Sequence, residues 1–253
     1  MNTLLQVSGL DASIGSTRIL NGVNLTVGAS EAVALLGRYG SGKTATLRAI
    51  AGILPVDAGS IVFGGRNITG LSPDARARAG LSYVPQGRDI FPLLTVEENL
   101  RLSLVVHQRT GAPAENSLGR VYDLFPALRS LLRRKGGSLS VGQQQQLALA
   151  RAVLTDPLFV VLDEPAEGIN ERQDTRRKNS VEEGFRIDYS AQIFRAIKVL
   201  KEEDRLAILL VDQDIDFCRD IADRFYVLDR GSVVAGGPIA ELTDDVVAEY
   251  MQI

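Results

Sequence analysis

Hydrophobic and polar positions alternate in the first part of the chain, and this two-residue period predicts strands. Residues 4–10 and 19–27 carry the alternation typical of half-buried strands, and residues 60–63 form a shorter apolar segment with turns on both sides. A hairpin is predicted at 225–228 and 232–235, because these two segments flank the turn Asp-Arg-Gly. Both ends of the chain are therefore expected to contribute strands.

Continuous apolar runs also occur, at residues 32–36, 158–162 and 207–211. Such runs are typical of strands that are buried on both faces of a sheet. The first run ends at Gly37, and helical spacing begins at Thr44. Because helical segments separate the strands, the sequence predicts an α/β fold with a mainly parallel sheet.

The middle of the chain has a helical pattern instead. Thr95 and Glu98 fit a capping box, which predicts a helix that continues to about residue 108. A second helical segment is predicted over 117–132, with an interruption at Pro126. Residues from about 88 to 138 are therefore expected to form a helical subdomain inserted into the α/β core.

Composition narrows the class of protein. The chain has 253 residues, of which 45% are hydrophobic, so a single domain over 1–253 is expected. A net charge of −3 and the lack of a basic run argue against a nucleic-acid partner. Cys218 is the single cysteine, which fits a reducing compartment. Because the first residues lack a basic region followed by an apolar stretch, no signal peptide is expected, and no run reaches the ~20 apolar residues of a membrane span, so a membrane role is expected to require a partner protein.

A phosphate-binding motif, G-x-x-x-x-G-K-[ST], lies between a predicted buried strand and a predicted helix. Its glycines allow the backbone to wrap phosphates, and the helix N-terminus adds the positive end of its dipole. Lys43 is expected to reach the β- and γ-phosphates of a nucleotide, and the Thr44 hydroxyl is expected to bind Mg²⁺. The candidate nucleotide-binding residues of this loop are Gly37, Arg38, Tyr39, Gly40, Ser41, Gly42, Lys43 and Thr44.

Two adjacent carboxylates, Asp163 and Glu164, follow the second buried run. They are expected at the carboxyl end of a strand, where α/β sheets bind their ligands. Asp163 can hold the Mg²⁺ shell, while Glu164 can orient or deprotonate an attacking water molecule. Alternatively, the pair can cap the N-terminus of a helix.

The order of three motifs resembles that of the ATP-binding cassette (ABC) ATPases: the phosphate loop, then LSVGQ at 139–143, then LDEP at 162–165. The resemblance covers essentially the whole chain. It implies that ATP and Mg²⁺ are bound, and that LSVGQ contacts the γ-phosphate of ATP held by the opposite subunit. Ser140 offers a hydroxyl, Gly142 permits close approach, and the helix start attracts an anion, with Gln143 sharing this polar edge.

The same resemblance implies an architecture. A P-loop NTPase core with an N-terminal antiparallel β portion is expected at 1–87 and 139–253, and the inserted helical subdomain at 88–138. Gln86 matches the Q-loop glutamine of the family, which touches Mg²⁺ or water and links the site to the membrane subunits. It lies in the phrase 83–100, which resembles the ATPases of branched-chain amino-acid and urea or short-amide importers.

Further segments at 166–169, 212–217 and 222–228 are most similar to the urea-type branch. This closer resemblance implies an ATPase that powers import of urea, short amides or branched-chain amino acids. The implied partners are a second ABC ATPase subunit (identical or paralogous), transmembrane permease subunits and, indirectly, a substrate-binding protein. The implied location is the cytoplasmic face of the inner membrane.

Several positions depart from the family pattern. Gln213 stands where many ABC ATPases have a switch histidine, and it can hydrogen-bond a γ-phosphate without becoming cationic. Ile14 matches the aromatic residue that often stacks on adenine, so only apolar contact with the base is expected. The single histidine, His107, is expected to be a surface or packing residue of the helical subdomain.

Three further departures concern the signature motif and the segment after LDEP. Val141 replaces a common glycine of the signature, which would be strained at positive φ but well tolerated in a helix. Asn170 stands where many relatives have the D-loop aspartate. A charged insertion is predicted at about 171–190, either an exposed mobile segment or a regulatory element near the dimer interface. These departures leave an alternative function, a weakly hydrolysing regulatory subunit that is gated by nucleotide.

Overall fold

Two sheets organise the chain in a computed structural model. It describes residues 3–104, 114–169, 188–202 and 206–251. The strands are β1 (Thr3–Ile14), β2 (Thr17–Gly28), β3 (Ala32–Leu36), β4 (Ala58–Phe63), β5 (Arg66–Asn67), β6 (Leu81–Val84), β7 (Phe159–Asp163), β8 (Ala207–Val211), β9 (Arg224–Asp229) and β10 (Ser232–Pro238). The helices are α1 (Lys43–Ala51), α2 (Pro73–Arg78), α3 (Val96–Leu104), α4 (Ala114–Leu124), α5 (Pro126–Ser130), α6 (Val141–Val153), α7 (Tyr189–Glu202), α8 (Ile215–Ile221) and α9 (Asp244–Met251).

The first sheet is antiparallel and has the order β2-β1-β4-β5. The second has the order β10-β9-β3-β8-β7-β6, and β3 pairs in parallel with both β8 and β9. Every residue of β3, β7 and β8 is buried, as continuous apolar runs require. The predicted α/β class, with its N-terminal antiparallel portion, is confirmed.

The described residues fall into two compact units. The first unit contains the described residues 3–83, 157–163, 200–202 and 206–251, and the second contains 84–104, 114–156, 164–169 and 188–199. The main hydrophobic core belongs to the first unit, where side chains of β1, β2, α1, β3, β7 and β8 pack together. Within the described residues, no helix is both long and apolar enough to cross a bilayer.

The predicted helical segments differ from the observed ones in their bounds. Instead of one interrupted helix over 117–132, the second unit has α4 and α5, and Pro126 is the first residue of α5. Proline fits this place because the first residues of a helix need no amide donor. The Thr95 capping box is confirmed, with Glu98 N donating to Thr95 Oγ1 (3.2 Å) and Thr95 N donating to Glu98 Oε2 (2.7 Å).

Strand β6 and helix α2 escaped prediction. Helix α2 is short and rich in charge, and one of its arginines, Arg76, is only 2% exposed. Arg76 donates to four main-chain carbonyls, at Ala49 and Ile50 near the end of α1 and at Thr69 and Leu71. Hydrophobic periodicity assigns arginine to the surface, so it cannot reveal this buried role.

Candidate nucleotide-binding site

The phosphate loop of the first unit connects β3 to α1 through glycines in the left-handed region. Gly37, Gly40 and Gly42 have φ of 139°, 77° and 108°. A Cβ at Gly37 would lie 2.1 Å from the carbonyl oxygen of Leu228, so this position excludes every side chain. The loop therefore passes directly into the N-terminus of α1, where unpaired amide groups attract anions.

The polar side chains of this loop fit a phosphate ligand. Ser41 is 4% exposed, and its hydroxyl has no hydrogen-bond partner in the structure. Buried hydroxyls rarely lack a partner, and a phosphate oxygen would supply the missing acceptor. The Nζ of Lys43 donates to the carbonyls of Gly37 (2.7 Å) and Arg38 (2.9 Å). A triphosphate would offer this ammonium group stronger, charged acceptors.

Three other predicted binding residues are placed differently. The guanidinium of Arg38 donates to the main-chain carbonyl of Glu249 in α9 (3.1 Å). The side chain of Tyr39 is fully exposed. Ile14 ends β1 with 54% of its surface exposed, so an apolar face is available for a base.

Asp163 is fully buried at the end of β7 and receives two hydroxyl donors. Thr44 Oγ1 donates to its Oδ1 and Tyr83 OH to its Oδ2, both at 3.2 Å. A carboxylate and a hydroxyl are suitable oxygen ligands for Mg²⁺, which commonly keeps several water molecules and few protein ligands. Among the described residues, no group of three or more Asp, Glu, His or Cys side chains is arranged to hold a metal ion. Tyr83 was missed, although its place in the family-like phrase was an available signal.

Gln213 lies just beyond the end of β8. In the parallel pair of β7 and β8, Asp163 is in register with Val211, so Gln213 follows at the same carboxyl edge of the sheet. Gln213 is exposed, and Asp214 caps α8 by accepting from Phe217 N at 2.9 Å. Gln213 thus lies exposed in the turn that connects β8 to α8.

Within the second unit, Gln86 contacts two carboxylates. Its Nε2 donates to Glu167 Oε1 at 2.9 Å and to Glu164 Oε2 at 3.5 Å. Glu164 has φ of 47°, an uncommon conformation for a residue other than glycine. Such outliers cluster at functional sites. Glu167 was missed, although a third carboxylate so soon after Glu164 was visible in the sequence.

The signature motif forms the start of helix α6. Ser140 is the N-cap, with Gln143 N donating to Ser140 Oγ (3.3 Å) and Ser140 N donating to Gln143 Oε1 (3.0 Å). Val141 is the first helical residue, so its β-branched side chain is tolerated rather than strained. Gly142 is buried. The helical alternative for Val141 therefore holds.

The glutamine run that follows is structural rather than low in complexity. Gln144 donates to the carbonyls of Gly136 and Leu139, both at 3.3 Å. Gln146 is fully buried and donates to Gln192 Oε1 of α7 at 2.6 Å. These amides join α6 to the segments on either side of it.

Arg151, near the other end of α6, holds the segment that follows Gln86. It donates to the carbonyl of Asp89 (2.7 Å) and lies 4.7 Å from the ring centre of Phe91. Arg88 and Asp89 both have positive φ, so this turn needs external support. Burial lowers the pKa of Arg151, although an arginine remains charged at neutral pH.

Several predictions lie outside the described residues. They concern His107, Asn170 and most of the charged insertion predicted at 171–190. Of that insertion the structure describes 188–190.

Comparison with known proteins places this geometry in context. A family profile described as "ABC transporter" matches residues 20–167. The chain is 31% identical to the probable branched-chain amino acid transport ATP-binding protein LivF of Archaeoglobus fulgidus. The alignment spans 241 residues and covers 95% of this chain and 94% of that protein. The chain is also 33% identical over 243 residues to the lipopolysaccharide export system ATP-binding protein LptB of Escherichia coli K12, which covers 95% of this chain and 93% of that protein.

Solved structures agree on the fold. An ATP-binding subunit of an ABC transporter has a TM-score of 0.78 and 25% identity, over 97% of this chain and 92% of that one. A dimeric ATP-binding cassette in a post-hydrolysis state with ADP and Pi has a TM-score of 0.76 and 24% identity, over 93% of this chain and 99% of that one.

Proposed function

This chain belongs to the ABC transporter family as one of its ATP-hydrolysing subunits, and we propose that it powers an importer of urea, short amides or branched-chain amino acids. The observation that carries the import proposal is the phrase 83–100, together with the branched-chain amino-acid ATPases LivF and BraG among the relatives. The relative LptB serves an export system, so direction is the point to test.

In the proposed reaction, each subunit binds ATP on its phosphate loop and a partner's signature closes on the γ-phosphate. Ser41 and Lys43 hold the phosphates, and Glu164 orients the attacking water. The amide of Gln213 donates to the γ-phosphate. Thr44, Asp163 and Gln86 would hold Mg²⁺, which neutralises charge on the phosphates when it is bound.

The proposed assembly has a second ABC ATPase, identical or paralogous, and permease subunits. A substrate-binding protein contributes indirectly, and the complex places this chain at the cytoplasmic face of the inner membrane. The order of events is ATP-driven closure of the two ATPases, a change in the permeases, and reopening after hydrolysis.

Vesicle transport tests the import proposal. The complex purified through a tag on this chain is reconstituted into proteoliposomes, with ATP on the side that faces the ATPase. Radiolabelled urea or leucine is expected to move towards the ATP side, and the complex with Glu164→Gln serves as the inactive control. Movement of label away from the ATP side, or no movement of either label, contradicts the proposal.

A second candidate, the weakly hydrolysing regulatory subunit, is favoured by the contacts of Gln86. Its amide lies nearer to Glu167 than to Glu164, by 2.9 Å against 3.5 Å. Mg²⁺ would bind the amide oxygen of Gln86, and a side chain held at Nε2 by Glu167 is less free to turn that oxygen towards the metal. Glu167 would then restrain turnover.

We therefore expect Glu167→Ala to lower the Mg²⁺ concentration for half-maximal ATPase activity by about threefold, because the Gln86 side chain is released from Glu167 and its Oε1 is free to turn to the metal. The measurement is a Mg²⁺ titration at saturating ATP. Glu97→Ala is the control, since Glu97 is a partly exposed glutamate of the same unit that pairs with Arg101. An unchanged or higher Mg²⁺ requirement contradicts this role of Glu167.

A further inference from the structure

Tyr189, the first residue of α7, packs directly on the signature motif of the same unit. A Cβ built on Gly142 would lie 2.4 Å from Tyr189 Cγ and 2.5 Å from Tyr189 Cβ. The tyrosine is 8% exposed, and its hydroxyl accepts a hydrogen bond from Gln143 Nε2 at 3.3 Å. Its ring and its hydroxyl therefore meet two consecutive residues of the signature.

The hydroxyl of Tyr189 gives the Gln143 amide a second hydrogen-bond partner besides the backbone of Ser140. With Nε2 directed to Tyr189, Oε1 is directed to the backbone amide of Ser140, which donates to it at 3.0 Å. A flipped amide would present a donor to a donor at Ser140. Ser140 thus sets the orientation of the amide, and Tyr189 holds its other end and so restrains the Gln143 side chain in the capping box.

The capping box formed by Ser140 and Gln143 determines which backbone amides of the signature remain available to an anion. The box uses the Ser140 amide and the Gln143 amide, while the first amides of a helix have no carbonyl partner within it. The backbone amides of Val141 and Gly142, the first two residues of α6, are therefore left for an anion at the N-terminus of the helix. A stable box keeps them aligned.

We propose that Tyr189 is a positioning residue of the ATPase reaction, which aligns the signature for the γ-phosphate held by the opposite subunit. The inference rests on the proposed function, since it needs a signature that meets ATP. Tyr189 acts through Gln143 and Gly142 and contacts no nucleotide itself.

A second link separates this role from simple attachment of α7. Gln146 and Gln192 join α6 to α7 independently, at 2.6 Å. Removing only the hydroxyl in Tyr189→Phe keeps the ring on Gly142 and leaves this second link intact. The variant therefore frees one end of the Gln143 amide while α7 stays docked.

ATP occlusion gives a readout that does not depend on turnover. The transporter complex carrying Glu164→Gln is incubated with radiolabelled ATP, and the label retained after rapid gel filtration is measured against ATP concentration. Tyr189→Phe is expected to raise the half-saturating ATP concentration by about fivefold, as for the loss of one neutral hydrogen bond. Binding of a fluorescent ATP analogue to the isolated chain is expected to stay unchanged, because the phosphate loop is intact.

Tyr122→Phe is the matched control, because it removes a tyrosine hydroxyl elsewhere in the same unit, on α4. A double-mutant cycle with Gln143→Ala adds a second criterion: Tyr189→Phe should have little further effect once the amide is gone. Equal occlusion by Tyr189→Phe and Tyr122→Phe, or full additivity with Gln143→Ala, overturns the inference. If the parent complex occludes no ATP, the proposed function itself fails.

Discussion

Replacing Glu164 with glutamine is expected to slow ATP hydrolysis by about 10²–10³-fold while ATP binding is retained. The substitution preserves size and the ability to accept a hydrogen bond, but it removes the charge that orients and deprotonates water. The Ser41 and Lys43 groups that fit a phosphate ligand remain unchanged, as does the Thr44 hydroxyl assigned to Mg²⁺. The measurements are phosphate release by the assembled transporter at saturating ATP and, separately, the affinity for ATP.

Glu97→Gln is the control for this experiment. It makes the same chemical change at a partly exposed position on α3, and its pairing with Arg101 is a surface interaction worth little. A Glu164→Gln complex that keeps more than about a tenth of wild-type turnover would show that another group activates water. Equal and very low turnover in wild type and Glu164→Gln would favour the regulatory subunit.

Replacing Arg76 with methionine is expected to destabilise the fold by about 3 kcal/mol. The guanidinium donates to four carbonyls, among them those of Ala49 and Ile50 at 2.7 Å, and methionine leaves these acceptors buried without their donor. Burial lowers the pKa of Arg76, but an arginine so modified is still protonated at neutral pH. Urea unfolding followed by circular dichroism measures the loss, since the chain has no tryptophan.

The same helix offers the comparison that this prediction needs. Arg78 pairs with Asp74 on the exposed face of α2, so Arg78→Met is expected to cost less than about 1 kcal/mol. A similar loss of unfolding free energy in both variants would mean that the carbonyl contacts of Arg76 add no stability beyond that of a surface ion pair. A loss confined to Arg76→Met supports its role in holding the end of α1.

The sequence predicted correctly those features that depend on residues within a single short segment. The apolar run at 207–211 forms β8 with the predicted bounds. A short unbroken apolar run of this kind is typical of a strand that is buried on both faces. The capping box at Thr95 and the glycines of the phosphate loop are likewise local. Each depends on residues a few positions apart.

The missed features depend on distant partners or on backbone angles. Tyr189 lies 46 positions from Gln143, and no periodicity connects them. The positive φ of Glu164 is a property of its turn and not of its residue type. Arg76 is buried although it is charged, because its guanidinium donates to main-chain carbonyls rather than to a carboxylate.

Helix α6 is fixed at both of its ends. At one end Ser140, Gln143 and Tyr189 hold the signature, and at the other Arg151 holds the turn at Asp89. A helix of 13 residues is a stiff rod about 20 Å long. We therefore expect a displacement of the signature to be transmitted along α6 to the turn after Gln86.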